Sequence, residues 1–283
     1  MLVRYAAVSC GSLASELARR VGNLLPSSYD ARGPNVKNMG EKMDVSKQNQ
    51  WKKAAAEAAA KLVETGMIVG LGTGSTAAFV VSELGRRIAQ EGLRIVAIPT
   101  SERTAEQARG LRIPLASLAE HTEIDLTIDG ADEVERGSLY LIKGHGGALL
   151  REKIVAAASK RMAVVADETK LVEHLGTHFS VPVEVVPFGW QATERKLRQL
   201  GANPTLRLSA DKKPYVTDGG NYIVDCAYGP MRAPKEVAHH LDHVVGTVEH
   251  GLFLGFASQV FVGGQRGVTV LTPETESPTS RKA

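Results

Sequence analysis

The feature that most constrains the fold of this sequence is a series of short, continuously apolar runs that alternate with longer segments of helical pattern. The runs predict buried strands at residues 67–71, 94–99, 125–128, 139–142 and 162–166. Helices are predicted around and between them, at residues 51–64, 75–89, 101–110 and 148–160. Apolar strands without polar alternation are typical of a parallel sheet that is covered by helices on both faces. The sequence therefore predicts an α/β fold.

The pattern changes after residue 178. Strands are predicted at residues 181–186, 206–208, 215–217 and 222–226, and helices at 191–200 and 235–241. The last two strands are expected to turn at the DGGN sequence of residues 218–221. The chain then returns to the larger fold with strands at 260–262 and 268–271. We therefore expect a large domain of residues 46–178 and 246–272, and a small α+β domain of residues 179–245 inserted into it.

The composition is ordinary for a globular protein and argues against several classes of function. Of 283 residues, 43% are hydrophobic, and the net charge of +3 comes from Lys and Arg residues scattered among acids. This distribution does not favour a nucleic-acid partner. No apolar run approaches the roughly 18 residues that span a bilayer, so no membrane segment is expected. The two cysteines, Cys10 and Cys226, do not form a disulfide framework, which makes a reducing, cytoplasmic compartment the default expectation.

The two ends of the chain differ from its middle. Residues 1–45 show no sustained period and contain prolines and glycines among small and polar residues. Such a segment is typical of a disordered extension or of a start assigned too early, and its arginines leave a targeting role open. The tail of residues 273–283 is also expected to be disordered.

Residues 70–76 read GLGTGST and lie between a predicted strand and a predicted helix. A dinucleotide-binding turn would have glycine where Ser75 stands, and a carboxylate after the next strand, where residues 99–101 read PTS. Backbone N–H groups at a helix start, together with the hydroxyls of Thr73, Ser75 and Thr76, suit a phosphate instead. Packing around the glycines alone would explain the turn equally well.

Two further stretches place charged residues beside glycines at the ends of predicted strands. Asp129 and Asp132 follow one strand in the sequence IDGADE, and Lys143 follows another in the sequence KGHGG. Glu152 lies about one turn into the next helix. Ligands of an open parallel sheet bind at the carboxyl ends of its strands. We therefore expect these side chains to share one crevice.

The combination of these residues suits the enolisation of a phosphorylated sugar. A carboxylate can move a proton between adjacent carbons, while an ammonium and a neutral acid stabilise the enediolate oxygens. Each residue alone also has a structural explanation. Asp132 and Glu133 could cap a helix or bind solvent, and Lys143 could pair with Asp129.

Four motifs occur in a fixed order: GLGTGST, IDGADE, KGHGGALLREK and VADETK. Together they resemble the ribose-5-phosphate isomerases of type A, over roughly residues 46–272. The resemblance implies a Rossmann-like parallel sheet flanked by helices, with a smaller α+β (ferredoxin-like) domain inserted near the C-terminal half. It implies an aldose–ketose isomerase that interconverts D-ribose 5-phosphate and D-ribulose 5-phosphate through an enediol, in the non-oxidative pentose phosphate pathway. It also implies a homodimer or homotetramer that needs no cofactor and no metal.

By position in these motifs, the resemblance implies that Glu152 is the general base that moves the proton between C1 and C2 of the open-chain sugar. Asp129 would assist ring opening, Lys143 would stabilise the enediolate, and Asp132 would hold substrate hydroxyls. The other substrate-binding residues that it implies are Thr73, Gly74, Ser75, Thr76, Gly130, Ala131, Gly144, His145, Gly146, Lys170 and Lys52.

Two of these assignments differ from the rest. Lys52 lies in an alanine-rich helix, where a solvated surface lysine fits the pattern equally well. His145 stands where the family often has a small residue, and its imidazole would add bulk and a titratable group near the site.

Two other classes of function remain open at this point. A non-catalytic sugar-phosphate sensor of related fold would normally carry a DNA-binding helix-turn-helix, a pattern that residues 1–45 do not show. A coenzyme A transferase-like enzyme of related architecture would use Glu152 as a nucleophile and form a covalent thioester.

The histidines near the C-terminus have structural explanations. His239, His240 and His243 include an i,i+4 pair that could bind a metal or simply lie on a surface helix, which we favour. His250 is expected to serve packing or a subunit contact.

Overall fold

The computed structural model describes residues 45–274. The expectations for the segment up to residue 44, and for the tail from residue 275, lie outside these residues. The helices are α1 (Val45–Ala60), α2 (Ala77–Glu91), α3 (Glu102–Gly110), α4 (Leu149–Ala157), α5 (Trp190–Gln199) and α6 (Pro234–Asp242). Strands β1 to β7 are Ile68–Leu71, Val96–Pro99, Leu126–Gly130, Glu133–Glu135, Leu141–Ile142, Met162–Asp167 and Leu171–Val172. Strands β8 to β14 are Val181–Val185, Asn203–Leu206, Tyr222–Ala227, Thr247–His250, Leu252–Phe253, Ala257–Gly264 and Gly267–Leu271.

The large unit is built on a six-stranded sheet with the strand order β14-β13-β6-β3-β1-β2. Neighbouring strands run parallel, except that β13 and β14 form an antiparallel hairpin at one edge. Successive residues of a strand face opposite layers: Val69 packs with the helices α1 and α2, whereas Ile68 packs near Val155 of α4. Because both faces are covered, the inner strands are mostly apolar, and every residue of β6 is buried. The predicted α/β fold is confirmed.

The small unit has the element order β8-α5-β9-β10-α6-β11. Its four strands form an antiparallel sheet in the order β11-β8-β10-β9, which is the ferredoxin-like arrangement. The strand β9 contains Pro204, which has no N–H to donate to a neighbouring strand. Because β9 lies at the edge of the sheet, the proline is tolerated there. Helices α5 and α6 contribute Leu197 and Leu241 to the buried cluster that the sheet shares with them.

Two strands predicted for the small unit are wrong. The strand expected at residues 206–208 is instead β9, at Asn203–Leu206, and Leu208 makes only an isolated bridge to Pro214. The strand expected at residues 215–217 is reduced to a single bridge from Val216 to Tyr222. The pairing with β10 stops there because the next N–H, that of Tyr215, donates to the carbonyl of Arg207 instead.

A third, small sheet has the order β12-β5-β4-β7, and its strands are two or three residues long. The sequence predicted a strand at residues 139–142, but only Leu141–Ile142 is extended. Leu139 has a φ of +54°, in the left-handed region, so it belongs to the preceding turn and cannot continue a strand. This sheet matters for the site because Lys143 follows β5 directly.

We propose a division of the chain close to the one expected from the sequence. The strand β11 pairs with β8 in the small sheet, although the expected boundary at residue 245 would assign it to the large unit. We therefore propose a small domain of residues 179–250 and a large domain of residues 46–178 and 251–272.

No helix within residues 45–274 is long and apolar enough to cross a bilayer.

The contact between α1 and β13 gives a stability prediction. A Cβ added at Gly263 would overlap the backbone carbonyl oxygen of Trp51, and neither backbone can yield without moving α1 from the sheet. We expect Gly263→Ala to lower the free energy of unfolding by about 1–3 kcal/mol, measured by urea denaturation.

Gly110 provides the matched control. A Cβ at this helical position would meet nothing within 4 Å. Gly110→Ala is expected to leave stability unchanged or to raise it by up to about 1 kcal/mol. Equal losses in the two variants would contradict the role assigned to the α1–β13 contact.

Candidate active site

A pocket opens at the carboxyl ends of β1 and β3, where the short-stranded sheet β12-β5-β4-β7 meets the central sheet. It is lined by Lys52, Thr73, Gly74, Ser75, Thr76, Gly130, Ala131, Asp132, Lys143, Gly144, Gly146, Glu152 and Lys170. All of these residues belong to the site predicted from the sequence. Of the predicted residues, only Asp129 and His145 do not line the pocket.

Asp129 lies behind the pocket wall, at the end of β3, and is fully buried. Its Oδ1 accepts hydrogen bonds from the N–H groups of Thr73 (3.0 Å) and Gly130 (2.7 Å). A Cβ at Gly72 would overlap this oxygen, so the second glycine of GLGTGST allows β1 to approach the carboxylate. Gly72 was part of the recognised turn but was not predicted as a site residue.

Lys143 connects Asp129 to the pocket. Its buried ammonium Nζ lies 2.8 Å from Asp129 Oδ2 and donates to the carbonyl of Gly130 at 2.7 Å. A second carboxylate oxygen, Glu152 Oε2, lies 3.4 Å from the same nitrogen. Burial by itself would lower the pKa of Lys143, but Asp129 and Glu152 outweigh it, so the pKa lies above its ordinary value. Lys143 therefore stays a charged ammonium in the pocket wall.

Glu152 stands in the first turn of α4 and is almost completely buried. Within residues 45–274, its Oε2 has no hydrogen-bond partner. Burial raises the pKa of Glu152 to about 8; Lys143 opposes this shift, whereas the negative charges of Asp129 and Asp132 add to it. Burial also raises the pKa of Asp129, against the effect of Lys143. The result is a carboxylate with a basicity well above that of an ordinary glutamate, beside a fixed ammonium.

The other side of the pocket carries groups suited to an anion. The turn of residues 73–76 precedes α2, and Lys52 Nζ donates to Ser75 Oγ at 3.3 Å. Lys170 also lines the pocket, and its Nζ lies 4.4 Å from the centroid of the Phe179 ring. Two ammonium groups and a turn at a helix start therefore face one region of the pocket.

The hydroxyl of Thr73 is not available to a ligand in the way the sequence suggested. Its Oγ1 lies 2.7 Å from Thr100 Oγ1, 2.8 Å from Ser101 Oγ and 3.1 Å from Thr104 Oγ1, in a buried network. The N–H of Thr73 binds Asp129. Among the three hydroxyls expected to bind an anion, those of Ser75 and Thr76 remain.

Asp132 and His145 are linked through the backbone. The N–H of His145 donates to Asp132 Oδ2 at 3.0 Å. The imidazole of His145 turns away, because its Nε2 lies 3.1 Å from the carbonyl of Ser180 and its ring packs edge-on against Phe179. His145 therefore does not fill the pocket with its side chain, contrary to the bulk expected from the sequence.

Glu133 has a structural role that the sequence did not separate from that of Asp132. It is fully buried, and its carboxylate accepts hydrogen bonds from the N–H groups of Gly176, His178 and Phe179. The segment held in this way includes Phe179, which contacts both Lys170 and His145.

The histidines outside the motifs lie away from the pocket. The rings of His239 on α6 and of His243, the residue after the helix, lie 4.5 Å apart at an angle of 55°, and His243 Nδ1 contacts the carbonyl of His239. His250 is buried, and burial together with Lys153 lowers its pKa to about 4.

Within residues 45–274, one group of side chains has metal-ligand spacing: Asp242, Glu249 and His250. The ammonium of Lys153 lies 2.7 Å from Glu249 Oε1 and donates to the carbonyl of His250, so a cation of the chain itself already occupies this cluster.

Comparisons with known proteins agree with one another. Residues 96–267 match the family model of ribose 5-phosphate isomerase A (phosphoriboisomerase A). Ribose-5-phosphate isomerase A of Gloeobacter violaceus is 59% identical over 222 residues, which cover 78% of this chain and 96% of that protein. The corresponding protein of Synechococcus sp. is 54% identical over 223 residues, which cover 79% of this chain and 97% of that protein.

Solved structures give the same result. Ribose 5-phosphate isomerase A of Methanocaldococcus jannaschii superimposes with a TM-score of 0.77 at 40% identity, over 80% of this chain and 99% of that one. Ribose 5-phosphate isomerase of Plasmodium falciparum has a TM-score of 0.77 at 35% identity, over 80% of this chain and all of that one (100%). The chain therefore belongs to the ribose 5-phosphate isomerase A family of enzymes, whose known reaction is the aldose–ketose interconversion of ribose 5-phosphate and ribulose 5-phosphate.

Proposed function

We propose that this enzyme performs the family's isomerisation in the pocket at the carboxyl ends of β1 and β3, with Glu152 as the general base. The observation that carries this assignment is the state of Glu152: a buried carboxylate in the wall of the pocket, 3.4 Å from the Lys143 ammonium, with a pKa of about 8. Family membership disfavours the sensor and coenzyme A transferase alternatives.

The proposed chemical step moves one proton and no other atom between the carbons. Glu152 takes the proton from C2 of open-chain ribose 5-phosphate, which leaves an enediolate with its charge on the C1 oxygen. The proton of the C2 hydroxyl passes to the C1 oxygen, and Glu152 returns its proton to C1 to give the ketose. The negative charge of the intermediate develops on the oxygens of C1 and C2. The ammonium of Lys143, 3.4 Å from Glu152 Oε2, is the fixed positive charge that stabilises these oxygens.

The proposed role of Asp129 is shaped by its position behind Lys143. It does not line the pocket, and Lys143 Nζ lies between it and the pocket residues. Asp129 holds the ammonium in place, and its proposed part in ring opening is exerted through the charge and position of Lys143. Asp132 lines the pocket, and we assign it to the substrate hydroxyls.

The phosphate is assigned to the side of the pocket that carries Lys52, Ser75, Thr76 and Lys170. The backbone of Gly74, Gly130, Ala131, Gly144 and Gly146 completes the proposed substrate contacts. A related structure with 39% identity and a TM-score of 0.76 was solved in complex with phospho-erythronic acid. The binding of a phosphorylated sugar acid by this relative supports our proposal that the pocket of the present protein binds a phosphorylated sugar.

Several wider assignments are part of the same proposal. A place in the non-oxidative pentose phosphate pathway and a cytoplasmic location follow from the reaction of the family. A homodimer or homotetramer follows from the resemblance. The sugar phosphate is the expected partner, and no cofactor, metal, membrane or nucleic acid is required by the proposed chemistry.

The first prediction concerns the base. Glu152→Gln keeps the size of the side chain but cannot accept a proton from carbon. We expect kcat to fall by about 10²–10⁴-fold, while KM for ribose 5-phosphate changes little, measured by following ketose formation. A kcat close to that of the wild type would refute the assignment of the base.

The same variant makes a second, independent prediction about stability. The pKa of Glu152 rises from 4.5 to about 8 on folding, so the protonated carboxyl favours the fold, and this stability is lost as pH rises through about 8. Gln cannot ionise and keeps the neutral state. The Tm of Glu152→Gln is therefore expected to match that of the wild type near pH 4.5 and to exceed it increasingly up to pH 8. A variant that melts lower at pH 8 would show that Glu152 stabilises the fold when charged.

The third prediction is a pH profile. Because the free enzyme needs ionised Glu152, kcat/KM is expected to rise with pH to a plateau above about 8. We call this rise the acid limb of the profile. The substrate phosphate titrates near pH 6, well below the acid limb. Asp132→Asn removes a negative charge that raises the pKa of Glu152, so the limb should move to lower pH while the plateau falls. A limb that moves to higher pH, or stays in place, would contradict the proposed coupling.

A further inference from the structure

Resting on the function proposed above, we propose that Arg207 is a positioning residue for the isomerisation. It is held by Asp225 and fixes the peptide unit between Gly144 and His145, and through this peptide it sets the position of Asp132 and of the loop after Lys143. Arg207 and Asp225 both lie in the small unit, and neither lines the pocket.

The guanidinium of Arg207 makes contacts in two directions. Its Nε donates to Asp225 Oδ2 at 2.8 Å, and its Nη2 pairs with Asp225 Oδ1, which gives a bidentate ion pair with β10. Its Nη1 donates to the carbonyl of Gly144 at 2.9 Å and to that of His145 at 3.2 Å. Both side chains of the pair are largely buried. A planar fork with several donors can satisfy a carboxylate and two carbonyls at once, and a lysine cannot.

Both polar groups of one peptide unit are hydrogen-bonded to side chains. Arg207 binds the carbonyl of Gly144, and the N–H of the same peptide, on His145, donates to Asp132 Oδ2 at 3.0 Å. A cation, a peptide dipole and a carboxylate are therefore aligned in series. The cation polarises the peptide, which strengthens the N–H as a donor to Asp132.

The loop reaches this peptide through a conformation that glycine adopts readily and other residues rarely do. Gly144 has a φ of +102°, and a Cβ there would lie 2.6 Å from Leu149 Cβ. Inside the turn, the N–H of Gly147 donates to the carbonyl of Gly144 at 3.0 Å. Tyr215, also from the small unit, covers Gly147 so closely that no side chain would fit there.

The loop joins the two residues assigned to the chemistry. Lys143 immediately precedes Gly144, and α4, which carries Glu152, begins two residues after Gly147. A shift of the Gly144–His145 peptide would move Asp132 and alter the spacing between Lys143 and Glu152. Misplacement of reacting groups by about 1 Å can cost on the order of 100-fold in rate.

The test uses Arg207→Met, which keeps the bulk of the side chain, and Arg207→Lys, which keeps its charge. We expect both variants to lower kcat by about 10- to 100-fold with KM changed by less than about threefold. Arg198→Met is the matched control, because Arg198 pairs with Glu194 on the outer helix α5 and not with the loop. This control should retain wild-type kcat and KM.

A double-variant cycle separates positioning from a general structural effect. If Arg207 acts through Asp132, the loss of kcat in Arg207→Met/Asp132→Asn is smaller than the product of the two single losses. A purely structural role predicts the full product. Should Arg207→Met fail to fold, the cycle is run with Arg207→Lys.

The outcomes distinguish this proposal from the one on which it rests. Wild-type turnover that disappears in Glu152→Gln supports the proposed function, whatever Arg207 does. The positioning role would be overturned if folded Arg207 variants kept kcat within about twofold of the wild type. It would also be overturned if the loss of kcat in the double variant equalled the full product of the two single losses.

Discussion

The structure depends on one buried ammonium. Lys143 lies in the interior with Asp129 and Glu152, where an isolated charge would cost several kcal/mol of desolvation. Asp129 Oδ2 at 2.8 Å and the carbonyl of Gly130 at 2.7 Å offset this cost. Because these groups come from β3, while Lys143 follows β5 and Glu152 lies in the first turn of α4, the charge fixes three elements relative to one another. Loss of Asp129 would remove the closest counter-ion of this buried ammonium.

The same cluster explains why one carboxylate is suited to accept a proton and another is not. Burial raises the pKa of both Asp129 and Glu152, and at Glu152 the negative charges of Asp129 and Asp132 add to the shift. The backbone distinguishes the two carboxylates. Asp129 Oδ1 accepts hydrogen bonds from the N–H groups of Thr73 and Gly130, and these contacts favour its ionised form. In the proposed mechanism, the glycine turn after β1 therefore holds Asp129 as the counter-ion of Lys143 and leaves Glu152 as the base.

Much of this could be predicted from the sequence because the informative features are local. Apolar strands without alternation predict a parallel sheet, and the carboxyl ends of such strands meet at one edge, so Asp129 and its neighbours were expected together. Two of the misses also have local causes, and a third does not. The left-handed backbone of Leu139 ends a strand that its apolar sequence favoured, and strands of two residues, such as Leu141–Ile142, carry no period. The direction of the His145 ring depends on Phe179, far along the chain.

What the sequence could not reveal is the contribution of the small unit. None of the residues that line the pocket lies within residues 179–250. Yet Arg207 holds the loop that follows Lys143, and Glu249 on β11 accepts a hydrogen bond from Lys153, the neighbour of Glu152 on α4. Both parts of the site are therefore attached to a sheet that touches no substrate atom in the proposed mechanism. Such contacts join residues that are more than sixty positions apart, and they depend on the finished fold rather than on any pattern within a segment. The small unit serves as the rigid support against which the pocket keeps its spacing.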